Sequence, residues 1–230
     1  GLAAGLGSYV KQLSPETKIV GVEPAGAPAM KRSIERGEVL TLDRISKFVD
    51  GAAVKRVGEH TFRLCRQVLD EVIEVEEGEV CATILQLYND DAIVVEPAGA
   101  LTVAALRQYG GLIKGKRVAC VISGGNNDIT RMEEIKERAM LYQGLKYYFL
   151  IQFPQRAGAL REFLNKVLGP EDDITHFEYT RKHNREAGPA LVGLELAKPG
   201  DYQGLIARMK THQVDYQLLN DQPMLFQMLV

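Results

Sequence analysis

Three observations predict that the sequence forms an α/β protein with two domains. As far as residue 144, short runs rich in β-branched residues alternate with helical segments of ten or more residues. This alternation indicates parallel strands joined by helical crossovers. Beyond residue 144 the order changes to strand, helix, strand, strand, helix, strand. The length of 230 residues also exceeds that of one average domain. We therefore predict a first domain over 1–144, which includes a connecting helix, and a second domain over 145–230.

Helical spacing of apolar residues and short β-rich runs define the elements of the first domain. Strands are predicted at 18–22, 71–75 and 117–122. Helices are predicted at 2–13, 28–36, 59–69, 79–88, 98–108 and 132–143, and the last of these is the connecting helix. The segment 117–122 is the strongest strand prediction, because it is β-branched and is bounded by Gly115 and by the tripeptide SGG at 123–125.

The second domain is predicted from a different pattern of elements. Strands are predicted at 146–153, 174–180, 191–196 and 214–218, and helices at 158–168 and 201–211. A loop rich in charged and turn-forming residues, 183–188, separates the two middle strands. The resulting βαββαβ order is the ferredoxin-like arrangement.

The composition excludes several classes of protein. The chain has 46% hydrophobic and 25% charged residues, as ordinary globular proteins do. With 28 basic and 30 acidic residues it shows no basic excess, so we predict that it binds no nucleic acid. No apolar run approaches the roughly 20 residues of a membrane-spanning helix, so we predict no membrane partner. Cys65, Cys81 and Cys120 lie far apart in apolar or helical contexts and are interpreted as reduced thiols of a cytoplasmic protein.

The first candidate site is the segment GLAAG at the start of the first predicted helix. The unpaired amides around Gly1 and Leu2 lie at the positive end of the helix dipole, and such a position attracts phosphate. Small side chains also let a helix pack closely on a strand. Packing is therefore an alternative explanation of the same pattern.

Two further candidate segments lie in the first domain. The segment SGGNN at 123–127 follows the predicted strand 117–122, and ligands of open α/β sheets bind at the carboxyl ends of strands. The hydroxyl of Ser123 can donate a hydrogen bond to an unprotonated ring nitrogen. A plain turn explains SGGNN equally well, because glycine and asparagine are turn formers. The segment EPAGA at 96–100 is either a ligand loop or a helix start with proline near its first position.

The second domain offers one candidate segment, FPQRAGAL at 153–160, between its first strand and first helix. Gly158 lets backbone amides face a carboxylate at the helix start, although an ordinary strand-to-helix turn has the same composition. The chain also has four scattered histidines, and none of them adjoins a serine or cysteine nucleophile. We therefore predict no catalytic role for His60, His176, His183 or His212.

The order of these motifs resembles that of biosynthetic threonine deaminases (threonine ammonia-lyases), and the resemblance covers essentially the whole chain. GLAAG is similar to the end of the family's glycine-rich loop, which binds the phosphate of pyridoxal phosphate. The segments 50–55 and 58–65 resemble those that line the far side of the cofactor. SGGN looks like the loop whose serine hydrogen-bonds the pyridine nitrogen, and EPAGA is similar to a stretch shared by this class of enzymes. Residues 145–230, with FPQRAGAL, resemble an ACT-like regulatory domain.

The resemblance implies part of a fold-type II pyridoxal-phosphate domain followed by a ferredoxin-like, ACT-like domain. It also implies β-elimination of L-threonine to 2-oxobutanoate and ammonia in isoleucine biosynthesis. The enzyme would be a cytoplasmic tetramer. Isoleucine would inhibit it, and valine would oppose that inhibition. By resemblance, the cofactor-binding residues are Gly1, Leu2, Gly51, Ser123 and Gly124. The effector-binding residues are Gln155, Gly158, Leu160, Phe177, Tyr179 and Val192.

Two parts of the family pattern do not occur in the sequence. The family's Schiff-base lysine lies in an amino-terminal Ser-Phe-Lys context, which is not found here. We therefore expect the sequence to be the carboxyl-terminal part of a longer enzyme, inactive alone and without a catalytic residue of its own. Related serine racemases hold a divalent ion with two carboxylates. Glu23 matches the first, but Ala29 stands near the second, so we predict no metal site.

Other functions are weighed against this one. Another serine or threonine lyase or racemase of the same fold would share the motifs of the first domain, whereas the second domain favours the biosynthetic deaminase. A non-catalytic amino-acid sensor would need no Schiff-base lysine, and a natural chain beginning at Gly1 would favour it. A dinucleotide-binding dehydrogenase is disfavoured, because no G-x-G-x-x-G segment follows a strand.

Overall fold

The computed structural model describes residues 1–179 and 186–230. The described chain forms two compact units, Gly1–Ala139 and Met140–Val230. The division falls inside the helix that the sequence predicts as the connection, so the predicted boundary after residue 144 stays a prediction. Part of the predicted loop 183–188 lies outside the described residues. No helix in the described part of the chain is long and apolar enough to cross a membrane.

The first unit contains two strands and a series of helices. The strands are β1 (Val20–Pro24) and β2 (Glu71–Val75), which pair in parallel with Val20 opposite Glu71. The helices are α1 (Leu2–Leu13), α2 (Ala29–Arg36), α3 (Glu59–Val68), α4 (Glu77–Asp91), α5 (Pro97–Ala104), α6 (Leu106–Tyr109) and α7 (Met132–Gln143), whose last residues belong to the second unit. The predicted helices are confirmed, except that 98–108 is divided into α5 and α6.

The strongest strand prediction, 117–122, is wrong for this structure. The segment has no strand assignment, and the side chains of Val118, Val121 and Ile122 are 50%, 36% and 42% exposed. A strand needs a neighbour to pair its backbone groups, and among the described residues no strand runs beside this segment. Its backbone is held instead by a side chain, since the hydroxyl of Thr102 donates to the carbonyl oxygen of Val121 at 3.0 Å.

Helix α2 begins with a cap that comes from β1. Glu23 is buried and accepts hydrogen bonds from the backbone amides of Met30 and Lys31, each at 2.8 Å. Pro28, at the N-cap position, has no side-chain oxygen for this purpose. Burial raises the pKa of the Glu23 carboxyl, and the two amide hydrogen bonds oppose that rise. Glu23 therefore fixes the start of α2 to the end of β1.

The main core of the first unit lies among β2, α4, α5 and α7. Its largest fully buried side chains include Val75, Val80, Ile84, Val95 and Ile135. The residues Phe48 and Val49 join this core from an irregular turn, 48–52, which precedes the segment to α3. The turn is thus anchored by apolar packing although its tip is exposed.

The second unit confirms the ferredoxin-like βαββαβ order. It contains β3 (Lys146–Pro154), α8 (Ala159–Lys166), β4 (Asp173–Tyr179), β5 (Ala187–Glu195), α9 (Asp201–Thr211), β6 (Asp215–Leu218) and α10 (Pro223–Leu229). The strands form an antiparallel sheet in the order β4-β5-β3-β6. The sequence analysis did not predict α10.

The two faces of this sheet bury different layers. On one face Phe149 and Val192 lie opposite each other and pack with Phe163 of α8 and Leu205 of α9. On the other face Tyr148 and Leu191 pack with Leu219, and the partly buried side chains of α10 cover them. Alternation along β3 and β5 therefore makes both strands apolar on both sides, as central strands require.

Candidate functional site

The carboxylate of Glu96 brings two of the predicted cofactor-binding glycines together. Glu96 precedes α5, and its backbone amide donates to the carbonyl oxygen of Gly124 at 3.1 Å. A Cβ atom at position 51 would lie 3.2 Å from Glu96 Oε1, and one at position 124 would lie 2.8 Å from Glu96 Oε2. The backbones of Gly51 and Gly124 therefore border the same carboxylate, although they are distant in sequence.

Gly99 allows the Ser123–Gly124 loop to lie directly on the first turn of α5. A Cβ atom at position 99 would lie 2.5 Å from the carbonyl oxygen and 3.1 Å from the nitrogen of Gly124. Only a hydrogen atom fits between these two backbones. The segment EPAGA is thus a helix start, with Pro97 at its first position, and also a packing surface for the loop. The sequence analysis identified the segment but did not include Glu96 or Gly99 among the site residues.

Ser123 lies next to this cluster with an exposed side chain. The loop that carries it is held by the Glu96–Gly124 backbone hydrogen bond and by a hydrogen bond from the amide of Asn127 to the carbonyl oxygen of Gly125 at 2.9 Å. The hydroxyl is therefore presented from a fixed loop. Its predicted contact with a pyridine nitrogen stays a prediction.

Gly1 and Leu2 lie at the start of α1, where Gly1 occupies the N-cap position. The first turn of the helix continues with the small residues Ala3, Ala4 and Gly5. Helix α1 packs mainly on α3, where Gly7 lies against Val68, and its Lys11 binds Asp70 before β2. These contacts do not join Gly1 or Leu2 to the Glu96 cluster.

In the second unit, the predicted effector turn at Gln155–Gly158 combines a glycine at positive φ with a carboxylate bound by two cations. Gly158 has φ +83° and forms the N-cap of α8. Glu162, in the first turn of the helix, binds Lys166 and Arg156. These two cations hold the pKa of the Glu162 carboxyl at about 2, with the hydrogen bond from Lys166 as the largest cause. The amide of Gln155 donates to the carbonyl oxygen of Glu186 at 2.8 Å, which ties the turn to the start of β5.

Aromatic side chains form the partly open edge of the same unit. The ring of Phe153 makes edge contacts with Phe177 and Tyr179 at centroid distances of 6.1 and 6.3 Å. Phe177, Tyr179 and Leu160 remain between 37% and 40% exposed. Val192 is fully buried in the core beneath. The exposed side chains of Phe177, Tyr179 and Leu160 are therefore available to a ligand, whereas Val192 is not.

The described histidines and cysteines do not form a second reactive site. Cys65 and Cys81 are buried and Cys120 is half-buried, and all three are free thiols. Burial raises the pKa of the Cys81 thiol to about 12, which suppresses its reactivity. His183 lies outside the described residues. Among the described residues no group of three or more His, Cys, Asp or Glu side chains is arranged to hold a metal ion. The absence of a metal site stays a prediction.

Residues 1–124 match the family described as pyridoxal-phosphate dependent enzymes, and the chain therefore belongs to that family. Residues 137–229 match the family described as the C-terminal regulatory domain of threonine dehydratase. Together these matches confirm the predicted fold class.

The chain is similar to named threonine dehydratases over its whole length. It is 57% identical over 230 residues to the L-threonine dehydratase biosynthetic IlvA of Bacillus subtilis strain 168, covering 100% of this chain and 54% of the relative. It is 55% identical to the protein of the same name from Halalkalibacterium halodurans, with coverages of 100% and 55%. The chain thus spans about half the length of the curated relatives it matches.

A solved structure supports the same classification. The processed form of threonine deaminase isoform 2 from Solanum lycopersicum superimposes with a TM-score of 0.57 at 34% identity. The match covers 61% of this chain and 39% of that chain. At 34% identity the likeness extends to the sequence and is not confined to the fold.

Pyridoxal phosphate is the cofactor of the family that residues 1–124 match. The residues described above are compatible with it. Ser123 carries a hydroxyl on a loop held at the start of α5, and small residues make up the first turn of α1.

Proposed function

We propose that the protein is a threonine ammonia-lyase, which converts L-threonine to 2-oxobutanoate and ammonia in isoleucine biosynthesis. The observation that carries this proposal is the 57% identity to the Bacillus subtilis L-threonine dehydratase across every residue of the chain, through both units. A match to the threonine dehydratase regulatory domain supports the deaminase over other lyases or racemases of the fold. We place the Schiff-base lysine outside these 230 residues.

We propose the following cofactor-binding roles. The amides of the first turn of α1, at Gly1 and Leu2, would bind the phosphate group through the helix dipole. Gly51 and Gly124 would admit the ring, and the Ser123 hydroxyl would donate to the pyridine nitrogen. When bound, pyridoxal phosphate supplies an electron sink that acidifies the Cα–H bond of an amino acid. A neutral serine donor leaves the ring nitrogen without a proton, which favours elimination over transamination.

The Ser123→Asp variant tests this arrangement in the full-length protein. A carboxylate at position 123 would hold a proton on the ring nitrogen, so we expect cofactor binding to persist while elimination is damaged. We expect kcat to fall roughly 10²-fold, the order seen when one positioned donor is removed from an active site. Cofactor absorbance and the rate of 2-oxobutanoate formation measure the two effects. Ser14→Asp, at an exposed serine after α1, is the matched control. Full activity of Ser123→Asp would refute the role of Ser123.

We further propose that isoleucine binds the unit 140–230 and inhibits the enzyme, and that valine opposes it. The effector would lie at the turn of Gln155 and Gly158, against Leu160, Phe177 and Tyr179. The support is the open aromatic edge and a glycine N-cap with free space around it. We also propose a tetrameric, cytoplasmic enzyme, in line with the resemblance.

A calorimetric titration of the full-length protein tests the regulatory proposal. Isoleucine is titrated first, with valine and phenylalanine as comparisons, and circular dichroism verifies folding. We expect selective binding of the branched-chain amino acids. A folded protein that deaminates threonine but binds no isoleucine would contradict the regulatory proposal and leave the catalytic one intact.

A further inference from the structure

Arg156 is the charged residue of the turn at Gln155–Gly158, where the effector is proposed to bind. Its side chain is exposed, and its guanidinium donates to the carboxylate of Glu162 in the first turn of α8. Gly158, two residues after Arg156, has open space around its Cα. The sequence analysis did not include Arg156 among the effector-binding residues. Its charge and position make it a candidate ligand for the carboxylate of an amino acid.

Glu162 does not depend on Arg156 alone for a counter-ion. Lys166, one turn further along α8, donates to the Glu162 carboxylate at 2.7 Å. A glutamate four residues before a lysine is the favourable orientation of such a pair on a helix. The pKa of the Glu162 carboxyl, held at about 2, keeps the group an anion at neutral pH. If Arg156 turns towards another anion, Glu162 therefore stays paired within its own helix.

The cluster of Arg156, Glu162 and Lys166 carries an excess of positive charge. Two cations share one carboxylate, which leaves a net charge of +1 on the three side chains. The start of α8 adds the positive end of the helix dipole on the same side. A guanidinium can bind a carboxylate through two parallel N–H groups, a geometry that an ammonium group lacks. A ligand that carries a carboxylate is thus the class of molecule that complements this cluster.

An apolar surface lies beside the charged cluster. The ring of Phe153 makes an edge contact with Phe163 of α8 at a centroid distance of 5.2 Å. The same ring contacts Phe177 and Tyr179 of β4, which form the partly exposed aromatic edge. The aromatic edge and the first turn of α8 are therefore neighbours. A small amino acid with an aliphatic side chain has a carboxylate for one and an apolar group for the other.

We propose that Arg156 binds the carboxylate of the amino-acid effector and that Glu162 competes with that carboxylate for the guanidinium. The inference rests on the proposed function, because it needs an effector at the α8 turn. Without effector, Glu162 occupies the guanidinium. With effector, the ligand carboxylate replaces Glu162, which remains bound to Lys166. Arg156 is then a binding residue, and Glu162 is a positioning residue whose charge lowers the affinity.

The exchange predicts opposite effects of removing the two charges. Loss of Arg156 removes a ligand of the effector, whereas loss of Glu162 frees Arg156 to bind it. An ion pair that only stabilised the turn would weaken effector binding whichever partner was removed. The sign of the effect at Glu162 therefore distinguishes competition from a structural role.

Two variants of the full-length protein, each with a control, test the exchange. Arg156→Gln removes the carboxylate ligand, and Glu162→Gln removes its competitor. Arg161→Gln, at an exposed position of α8, and Glu171→Gln, at an exposed position after that helix, make the same changes of charge. For each protein, calorimetry measures the dissociation constants of L-isoleucine and of L-isoleucinamide, which has the same side chain without the carboxylate. Circular dichroism verifies folding.

We expect Arg156→Gln to bind isoleucine about tenfold more weakly than wild type, the order of one hydrogen bond to a charged group. The same variant should bind isoleucinamide no more weakly than wild type does. Glu162→Gln should bind isoleucine about two- to fivefold more tightly, because an exposed ion pair no longer competes. Both controls should bind isoleucine as wild type does.

Two results would overturn this inference alone. The first is an equal loss of affinity for isoleucine and isoleucinamide in Arg156→Gln, or no loss for either. The second is an isoleucine affinity of Glu162→Gln that is unchanged or lower than that of wild type. A wild-type protein that binds no isoleucine would instead overturn the regulatory proposal, and this inference with it. A wild-type protein that binds isoleucine but does not deaminate threonine would overturn only the catalytic proposal.

Discussion

Replacing Gly99 with alanine is expected to weaken cofactor binding by the full-length protein. The added methyl group would lie 2.5 Å from the carbonyl oxygen of Gly124 and 2.8 Å from a methyl group of Val95. The Gly124 atom belongs to the backbone, so the clash cannot be relieved by a side-chain rotation. The loop that carries Ser123 must move away from α5, and its packing against Glu96 is lost.

The Gly99→Ala effect should be seen in both cofactor binding and stability. Overpacking of a well-packed site costs about 1–3 kcal/mol, which corresponds to a loss of cofactor affinity of about 5- to 150-fold if the loop bears the cost. Cofactor absorbance after dialysis and thermal unfolding with and without added cofactor measure it. Gly111→Ala is the control, because a Cβ atom there meets no atom within 4 Å. Cofactor retention equal to that of the control would show that the loop position does not matter.

The regular elements could be predicted because their patterns are local. Helix α1 has the predicted bounds, and so does β2, since apolar spacing and β-branched runs are properties of the segment itself. The strand prediction for 117–122 was wrong because strand formation is not a local property. Its composition is that of a strand, but a strand also depends on a partner that its own residues do not specify.

The candidate site was predictable only in part. The glycines of the motifs were visible in the sequence, because small residues are needed where backbone and ligand approach. The contact of Glu96 with both Gly51 and Gly124 could not be predicted, because it depends on three distant segments packing together. The hydrogen bond from Arg131 to the carbonyl oxygen of Phe48 was missed for the same reason, since the two residues are distant in sequence.

Two of the predicted effector residues differ in burial although they lie on the same face of the sheet. Alternation places Phe177 and Val192 on the same side of the sheet, where they lie opposite each other on β4 and β5. Strand order then separates them, because β4 is an edge strand and β5 lies between two neighbours. Phe177 is therefore partly exposed, whereas Val192 is fully buried. A sequence pattern alone does not distinguish the two positions.

Gly158→Arg is expected to make the full-length enzyme insensitive to isoleucine. Gly158 has φ +83° and open space around its Cα, and it lies at the start of α8, which no side chain caps. An arginine side chain would occupy that space, and its backbone would be strained by about 1–2 kcal/mol in the left-handed region. Both effects oppose an amino-acid effector at the turn. Inhibition by isoleucine, relative to the uninhibited rate of each variant, measures the outcome.

The matched control for Gly158→Arg is Gly200→Arg in the same unit. Gly200 also has open space and also precedes a helix, but its φ of −66° is ordinary, so the same side chain is added without strain. We expect this variant to keep its inhibition by isoleucine. If both variants lost inhibition, the added charge would be acting on the unit as a whole. If both kept it, isoleucine would bind elsewhere, and the exposed aromatic edge at Phe177 and Tyr179 would need another explanation. Only the difference between the two glycines places the effector at the α8 turn.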